Sequence, residues 1–425
     1  MTQPTTVPTR PRGGGTAVVV ALAAANGLGY LLTLVASRRL GPEGYGALAA
    51  LLGVILIGNV LALALQAVVA RRTVVAAALP GAVAGDDSAG IAWAGRLTRA
   101  SALVAVVVGF LAVAPLTRLL HLDSPIPAVL LAVTLGPLTL IGGQLGALQG
   151  GERFHALAQL YLLAALGKVG GGVVGVLVAD SVTGTMAGTA VGASLAAVAG
   201  AILVSRSQGS SARVARTLPA GAARETVRAT YSLGALFALA NLDVVLARHF
   251  LEPRQAGLYA VGAVLAKGAF WFPSFVPVIA MPGLADPSRR RRTAALSIVA
   301  VTGAGILVTV AAALFGEVVV RLVGGSAYVS LADRAWLFAA NGALLAIVQM
   351  LLYSRLAGED RRVSLPMWLI VAAEIAVIWI WRHASVTDVV TTALATAAGV
   401  ALLGLLAEVH EHGLRRRPRP DSLPR

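Results

Sequence analysis

The chain has 425 residues, 57% of them apolar and only 12% charged, and a mean hydropathy of +0.82. A soluble domain carries about 25% charged residues, so this composition excludes a soluble enzyme and describes an all-α polytopic membrane protein. There is no cysteine, which removes disulfides, thiolate metal sites and cysteine nucleophiles. The six histidines include no metal-binding pair on one helix face, so neither a metal nor any other cofactor is expected.

In chain order, a short basic tail at 1–15 precedes a long apolar run. Arg10, Arg12 and Ala23-Ala24-Ala25 imitate a secretory signal, but the run continues to Ala36, long enough to span, and it reads as a retained first helix. At roughly 20 apolar residues per crossing, twelve spans follow, at about 16–37, 44–70, 97–120, 126–149, 154–179, 185–205, 227–248, 255–281, 294–316, 331–354, 364–382 and 388–409. The Arg/Ser/Gly-rich linker 206–226 separates a six-helix lobe at 16–205 from a second at 227–410, and the basic, proline-containing tail 411–425 reads as disordered.

Two segments support a duplication. Leu40-Gly41-Pro42-Glu43-Gly44-Tyr45-Gly46-Ala47-Leu48-Ala49 and Leu251-Glu252-Pro253-Arg254-Gln255-Ala256-Gly257-Leu258-Tyr259-Ala260 lie 211 positions apart. They share Leu, Pro, Gly and Ala at the first, third, seventh and tenth places, and each joins the first long apolar segment of its half to the second.

Arginine sets the orientation. With the N-terminus in the cytoplasm, 24 arginines face inward and 8 outward, a positive-inside bias that the reverse topology would invert. Both termini are therefore expected in the cytoplasm, with the protein in the plasma membrane. The net charge of +15 needs no nucleic-acid partner, because arginine facing anionic membrane lipids accounts for it.

The only lysines, Lys168 and Lys267, fall mid-span in the fifth and eighth helices. A charge at that depth costs about 2.5–3.5 kcal/mol on insertion scales and turns toward a bundle interior or a water-filled cavity. Glu374 is equally deep, and Asp243 lies nearer the outer end of the seventh helix. Either the lysines face a cavity and bind an anion, or they form interlobe salt bridges with Asp243 and Glu374. Gly167, Gly171 and Gly175 beside Lys168 read as close helix packing or as a bare cavity wall. Near Lys267, Trp271 and Ser274 share its face, and Pro273, Pro277 and Pro282 interrupt the helix. Lys267 is the slightly favoured anion ligand, because Trp271 can stack on a sugar ring. Neutral polar stripes at Asn26, Tyr30, Thr33 and Ser37, at Asn59 and Gln66, and at Asn341, Gln349 and Tyr353 read as interhelical glue or as cleft lining.

The runs Asn26–Tyr30 and Ser37–Leu48 resemble the first two helices of polysaccharide-biosynthesis membrane proteins, the O-antigen-type oligosaccharide flippases. Asn241–Leu246 with Leu251–Ala260 resembles the start of their second lobe. That family belongs to the multidrug/oligosaccharidyl-lipid/polysaccharide (MOP) exporter superfamily, with the MATE exporters and the lipid II flippases. The resemblance implies two six-helix bundles around a central cavity that opens alternately to either side. The usual cargo it implies is an undecaprenyl-pyrophosphate-linked oligosaccharide, whose pyrophosphate a cation at membrane depth would hold. Such cavities often carry several arginines, whereas only two lysines lie at depth here.

Three functions follow. The first is a flippase for a polyprenyl-linked glycan or related envelope precursor, with membrane lipids and a coupling cation as further partners. The second is a MATE-type cation-coupled small-molecule exporter, which would be expected to carry an acid in its first half, where no deep one occurs. The third is a membrane glycosyltransferase or ligase acting on polyprenyl-linked sugars. It would need a large outer loop with acidic or histidine residues, and none is present.

Reporter fusions after Arg292 and Arg417 should read cytoplasmic and one near Asp123 external. A cytoplasmic signal at Asp123 would overturn the twelve-span reading.

Overall fold

Proline and glycine decide where the first helix breaks. In the computed structural model, which describes residues 13–77, 88–207, 221–273, 276, 290–356 and 364–414, α1 runs Gly13–Gly58 but is interrupted at Gly41, with φ +63°. Only glycine adopts that backbone cheaply, and the next residue, Pro42, has no N–H to continue the ladder. In the repeated segment the chain leaves its helix at Leu251 in an extended conformation, and Pro253 opens the next helix. The shared proline thus starts a helix in both copies.

The remaining helices are α2 (Val60–Ala77), α3 (Ser88–Leu111), α4 (Val113–Leu119), α5 (Ile126–Gly150), α6 (Phe154–Ala165), α7 (Gly171–Ala179) and α8 (Val182–Arg206), with a π turn at Leu166–Gly170 between α6 and α7. Then come α9 (Ala222–Leu239), α10 (Leu242–Phe250), α11 (Pro253–Trp271), α12 (Arg290–Leu314), α13 (Gly316–Val323), a 3-10 stretch at Ser326–Arg334, α14 (Ala335–Leu356), α15 (Ser364–Ile380) and α16 (Val386–Leu414). Among the described residues there is no strand. Most of the 206–226 linker, the end of the tail from Arg415, Ser274, Pro277 and Pro282 lie outside the described residues.

Among the described residues eight helices are long and apolar enough to cross a membrane, or nine if α9 and α10, bent by 49°, form one span. Twelve spans are compatible with this count. The run Ala17–Val75 counts once although its 59 residues make roughly 90 Å of helix, enough to cross a core of about 30 Å twice. Pro366–Ile380 is apolar but shorter, and α11 ends at Trp271, ahead of Pro273.

The described chain forms two compact units. The first holds residues up to Val35, Gly58–Thr117 and Asp123–Thr230. The second holds Ala36–Ile57, Arg118–Leu122 and the chain from Tyr231 on. The division follows packing rather than chain order, because the end of the first long helix and the short 118–122 turn join the second unit.

Each unit is organised around the fourth span of its half. In the first, α5 packs on α2, α3 and α8. Gly142 abuts the Ala62 carbonyl, Gly146 abuts Gln66 and Val69, and Gly143 abuts Thr98. In the second, α14 packs on α11, α12 and α16, with Gly342 on the Ala266 carbonyl and Ala343 against Gly305. The same spans, second, third and sixth, surround the fourth in both halves. The most apolar windows of these two hubs are 67% and 72% buried, against 22% for the α12 span.

Within the second unit the two copies of the repeat touch. A Cβ on Gly46 would lie 2.9 Å from the Gly257 backbone nitrogen, and one on Gly257 would lie 1.9 Å from the Pro42 carbonyl oxygen. Both glycines occupy the seventh place of the ten. Tyr45 and Tyr259 are fully buried nearby, Tyr45 edge-on to Tyr328 at 6.5 Å and Tyr259 edge-on to Phe338 at 5.1 Å.

Gly257→Ala should therefore destabilise the protein by about 1–3 kcal/mol through backbone overpacking. Gly27→Ala, with nothing within 4 Å, should change it by less than about 0.5 kcal/mol. Thermal unfolding of the two variants in detergent checks the contrast.

Candidate functional site

The second unit holds a buried acidic cluster, and a helix break positions it. The chain halts at Asn241, whose side-chain Nδ2 donates back to the Phe237 carbonyl at 2.9 Å. Asp243 falls in the first turn of α10, where exposed backbone N–H groups favour a carboxylate. Its Oδ1 accepts from the Val244 N–H at 2.9 Å, and its Oδ2 accepts from the Tyr259 hydroxyl at 2.7 Å. The sequence reading has one continuous span at 227–248. The Ala240-Asn241-Leu242-Asp243 stretch, with an N-cap residue type inside an apolar run, is the signal that marks the break.

Glu374, on α15, is 2% exposed, and neither of its carboxylate oxygens has a hydrogen-bond partner. It lies within the electrostatic reach of Asp243 and Tyr259. Lys267, on α11, is half-buried and lies within reach of Asp243. The side-chain oxygens of Asn241 and Asn341 are also buried without partners. Gly342 seats against Ala266, so Asn341 and Lys267, their chain neighbours, stand at one level of the bundle. Two carboxylates in a dry bundle repel each other unless a proton or another cation sits with them. Lys267 is the cationic side chain whose field reaches Asp243.

Trp271 ends α11, is 40% exposed and meets Phe270 edge-on at 5.3 Å. Ser274, proposed to share its face, lies outside the described residues.

The first unit holds the opposite arrangement. Lys168 sits on the π turn, half-buried, and among the described residues has neither a hydrogen bond nor an ion pair. A π turn adds a residue to a helical turn and re-aims the side chains it carries, and such turns are frequent at functional sites. Beside it, Gly167, Gly171 and Gly175 mesh with Gly192, Gly188 and Gly184 of α8. Each added Cβ on the first three would come within 2.1–2.3 Å of a facing carbonyl oxygen. The glycine face is a packing seam, and Gly184, Gly188 and Gly192 form the matching G-x-x-x-G series on α8. Among the described residues neither Lys168 nor Lys267 forms an ion pair.

The polar stripes divide. Gln66 is interhelical glue, donating to Gln149 Oε1 at 2.9 Å and to the Tyr161 hydroxyl at 2.7 Å. Asn59 marks the break between α1 and α2, where its carbonyl accepts from the Leu63 N–H. Asn26 is exposed and Tyr30 half-buried on α1 of the first unit, while Ser37, in the second, donates to the Val323 carbonyl at 3.1 Å. Among the described residues no cluster of three or more histidine or acidic side chains could hold a metal ion.

No protein-family model and no curated protein matches the sequence. Solved structures do. The chain is similar to an inward-facing MATE family multidrug-resistance transporter of the MOP superfamily, with a TM-score of 0.70 at 12% identity over 92% of this chain and 96% of that one. It is similar to the lipid II flippase MurJ in an inward closed conformation, with a TM-score of 0.68 at 11% identity over 93% and 87%. A third similar structure is a MOP superfamily transporter from Pyrococcus furiosus described by the reversed polarity of its binding pocket, with a TM-score of 0.56 at 13% identity over 96% and 100%. The fold is that of the MOP transporters. At these identities the cargo is decided by the site and not by the fold.

The unpartnered state of Glu374 makes a stability prediction. Glu374→Gln removes a charge that nothing neutralises directly, so thermal stability should stay within about 0.5 kcal/mol or rise. Tyr259→Phe, which strips a donor from buried Asp243, should cost about 1–3 kcal/mol. Unfolding midpoints of the two variants test this, and a large loss for Glu374→Gln would indicate a salt bridge instead.

Proposed function

We propose that this protein is a cation-coupled MOP-type transporter that moves an anionic, polyprenyl-linked glycan precursor across the plasma membrane by alternating access. The observation that carries the reading is Lys168, a cation at membrane depth on a π turn with no anionic partner among the described residues. Insertion of such a charge is costly, and a desolvated phosphate or pyrophosphate is the kind of group that offsets it. Lys267 stands in the field of Asp243, so its charge is partly answered within its own unit, and Lys168 becomes the stronger cargo ligand. The acid cluster of Asp243, Tyr259 and Glu374 then takes the coupling cation, whose arrival and departure relieve the carboxylate repulsion.

A second reading rests on the same cluster. Two buried carboxylates also suit a cationic small molecule, which is the MATE-type alternative.

The two readings separate in proteoliposomes. If the cargo is an anionic lipid-linked glycan, Lys168→Gln should slow translocation of a fluorescent lipid-linked oligosaccharide about 10–100-fold, the loss of one charge-assisted contact. Lys168→Arg should keep part of the rate. Loss of transport only in Asp243→Asn and Glu374→Gln, with Lys168→Gln fully active and a cationic dye exported, would favour the second reading.

A further inference from the structure

Three uncharged side chains meet near one end of the first unit, and the contact between α2 and α5 fixes where they stand. Gly142, Gly146 and Gly150 recur one helical turn apart on α5, and each abuts the backbone of α2, at Ala62, Gln66 and Ala70. A bare-backbone seam of this kind leaves one helix no slack to slide along the other. It brings Gln66 of α2 beside Gln149 of α5, and Tyr161 of α6 closes the group. Gln149 is exposed, and Gln66 and Tyr161 are half-buried.

The bonds inside the group leave most of its polar valence unused. The Gln66 Nε2 donates to Gln149 Oε1 at 2.9 Å and to the Tyr161 hydroxyl at 2.7 Å, which occupies both of its N–H groups. Among the described residues nothing else pairs with the Gln66 Oε1, the N–H groups of Gln149 or the Tyr161 O–H. One acceptor and several donors therefore stand ready, and none carries a charge. The arginines nearest in sequence on α2, Arg71 and Arg72, are paired with Glu225. A neutral array of mixed donors and acceptors does not select an ion. It matches neighbouring hydroxyl groups, each of which both gives and takes a hydrogen bond, and the tyrosine ring beside it offers an apolar face.

We propose that Gln66, Gln149 and Tyr161 form a sugar-binding station for the glycan of the cargo. The assignment rests on the cargo proposed above and adds the groups that read its carbohydrate. Tyr161 precedes Lys168 by seven residues, two helical turns, which puts both on one side of the helix and about 10 Å apart along its axis. A pyrophosphate held at Lys168 and the first sugar ring attached to it cover that length. In the positive-inside orientation Gln66 stands little more than a turn from the cytoplasmic arginines of α2, and Gln149 lies in the last, cytoplasmic turn of α5. The station is thus on the side from which an exported cargo is loaded.

Sugar binding can be read without transport and without phosphate, so its failure is distinct from failure of the cargo assignment. The full chain in nanodiscs is mixed with neutral disaccharides of glucose, galactose, N-acetylglucosamine and N-acetylgalactosamine, and saturation-transfer NMR identifies the members that bind. At least one should bind, and Gln149→Leu and Tyr161→Phe should each weaken it about tenfold, the loss of one or two hydrogen bonds. Unfolding midpoints check that both variants are folded; if Tyr161→Phe is not, Gln149→Leu, at an exposed position, decides alone. In the same preparation farnesyl pyrophosphate, which carries no sugar, should bind and lose about tenfold in Lys168→Gln. Farnesyl pyrophosphate binding that survives Lys168→Gln would sink the cargo assignment and not the station. No bound disaccharide, or undiminished binding by Gln149→Leu, would overturn the station itself.

Discussion

The second unit depends on a contact in which two backbones meet with no side chain between them. Gly46 and Gly257 meet there, with the Pro42 carbonyl against the Gly257 α-carbon. Close approach of this kind replaces hydrophobic drive, which vanishes between helices bathed in lipid, with van der Waals contact along bare backbone. The seam brings other groups into register. Arg38 donates to the Leu322 carbonyl at 2.6 Å, and the Tyr328 hydroxyl donates to the Ser37 carbonyl at 3.2 Å. At the same end, Arg248 reaches the Leu120 carbonyl at 3.0 Å, and His249 stacks on His121 and Trp379. All of these pairs except His249–Trp379 join first-half to second-half sequence inside one compact unit.

The two polar sites differ because their supports differ. Around Lys168, glycine on α7 meets glycine on α8, so the π turn is braced by backbone, and among the described residues the amine has no hydrogen-bond partner. Around Asp243, a helix break supplies an N–H, Tyr259 supplies a hydroxyl, and Glu374 is left with neither. A broken helix is costly in lipid unless the freed groups find partners or line a site. Here the break returns that cost by fixing one carboxylate beside another. The side-chain oxygens of Asn241, Asn341 and Glu374 are buried without partners among the described residues, and each such group costs free energy.

The MOP fold hosts drug exporters and a lipid II flippase among its similar structures, and one similar transporter is distinguished by its pocket polarity. One fold thus carries different functions, and the fold by itself does not name the cargo. In this chain the buried charges include an amine in one unit, Lys168, and the carboxylates of Asp243 and Glu374 in the other.

Hydropathy and charge determined much by themselves. The spans read at 126–149, 185–205 and 294–316 appear as α5, α8 and α12 within a few residues, because twenty apolar residues have one way to satisfy their backbone in lipid. The repeat register was equally legible, since proline at a helix start and glycine at a backbone contact are steric requirements written in residue type. The depth of Lys168, Lys267 and Glu374 followed from position within a span. Their partners did not. Whether Lys168 meets a carboxylate, whether Gln66 lines a cleft or ties α2 to α5 and α6, and whether the seventh span bends at Asn241 all depend on how each helix is rotated and crossed against its neighbours. Those angles are set by the packing of many side chains at once, so only the tertiary structure decided that Tyr259 donates to Asp243 and that the Glu374 oxygens have no hydrogen-bond partner among the described residues.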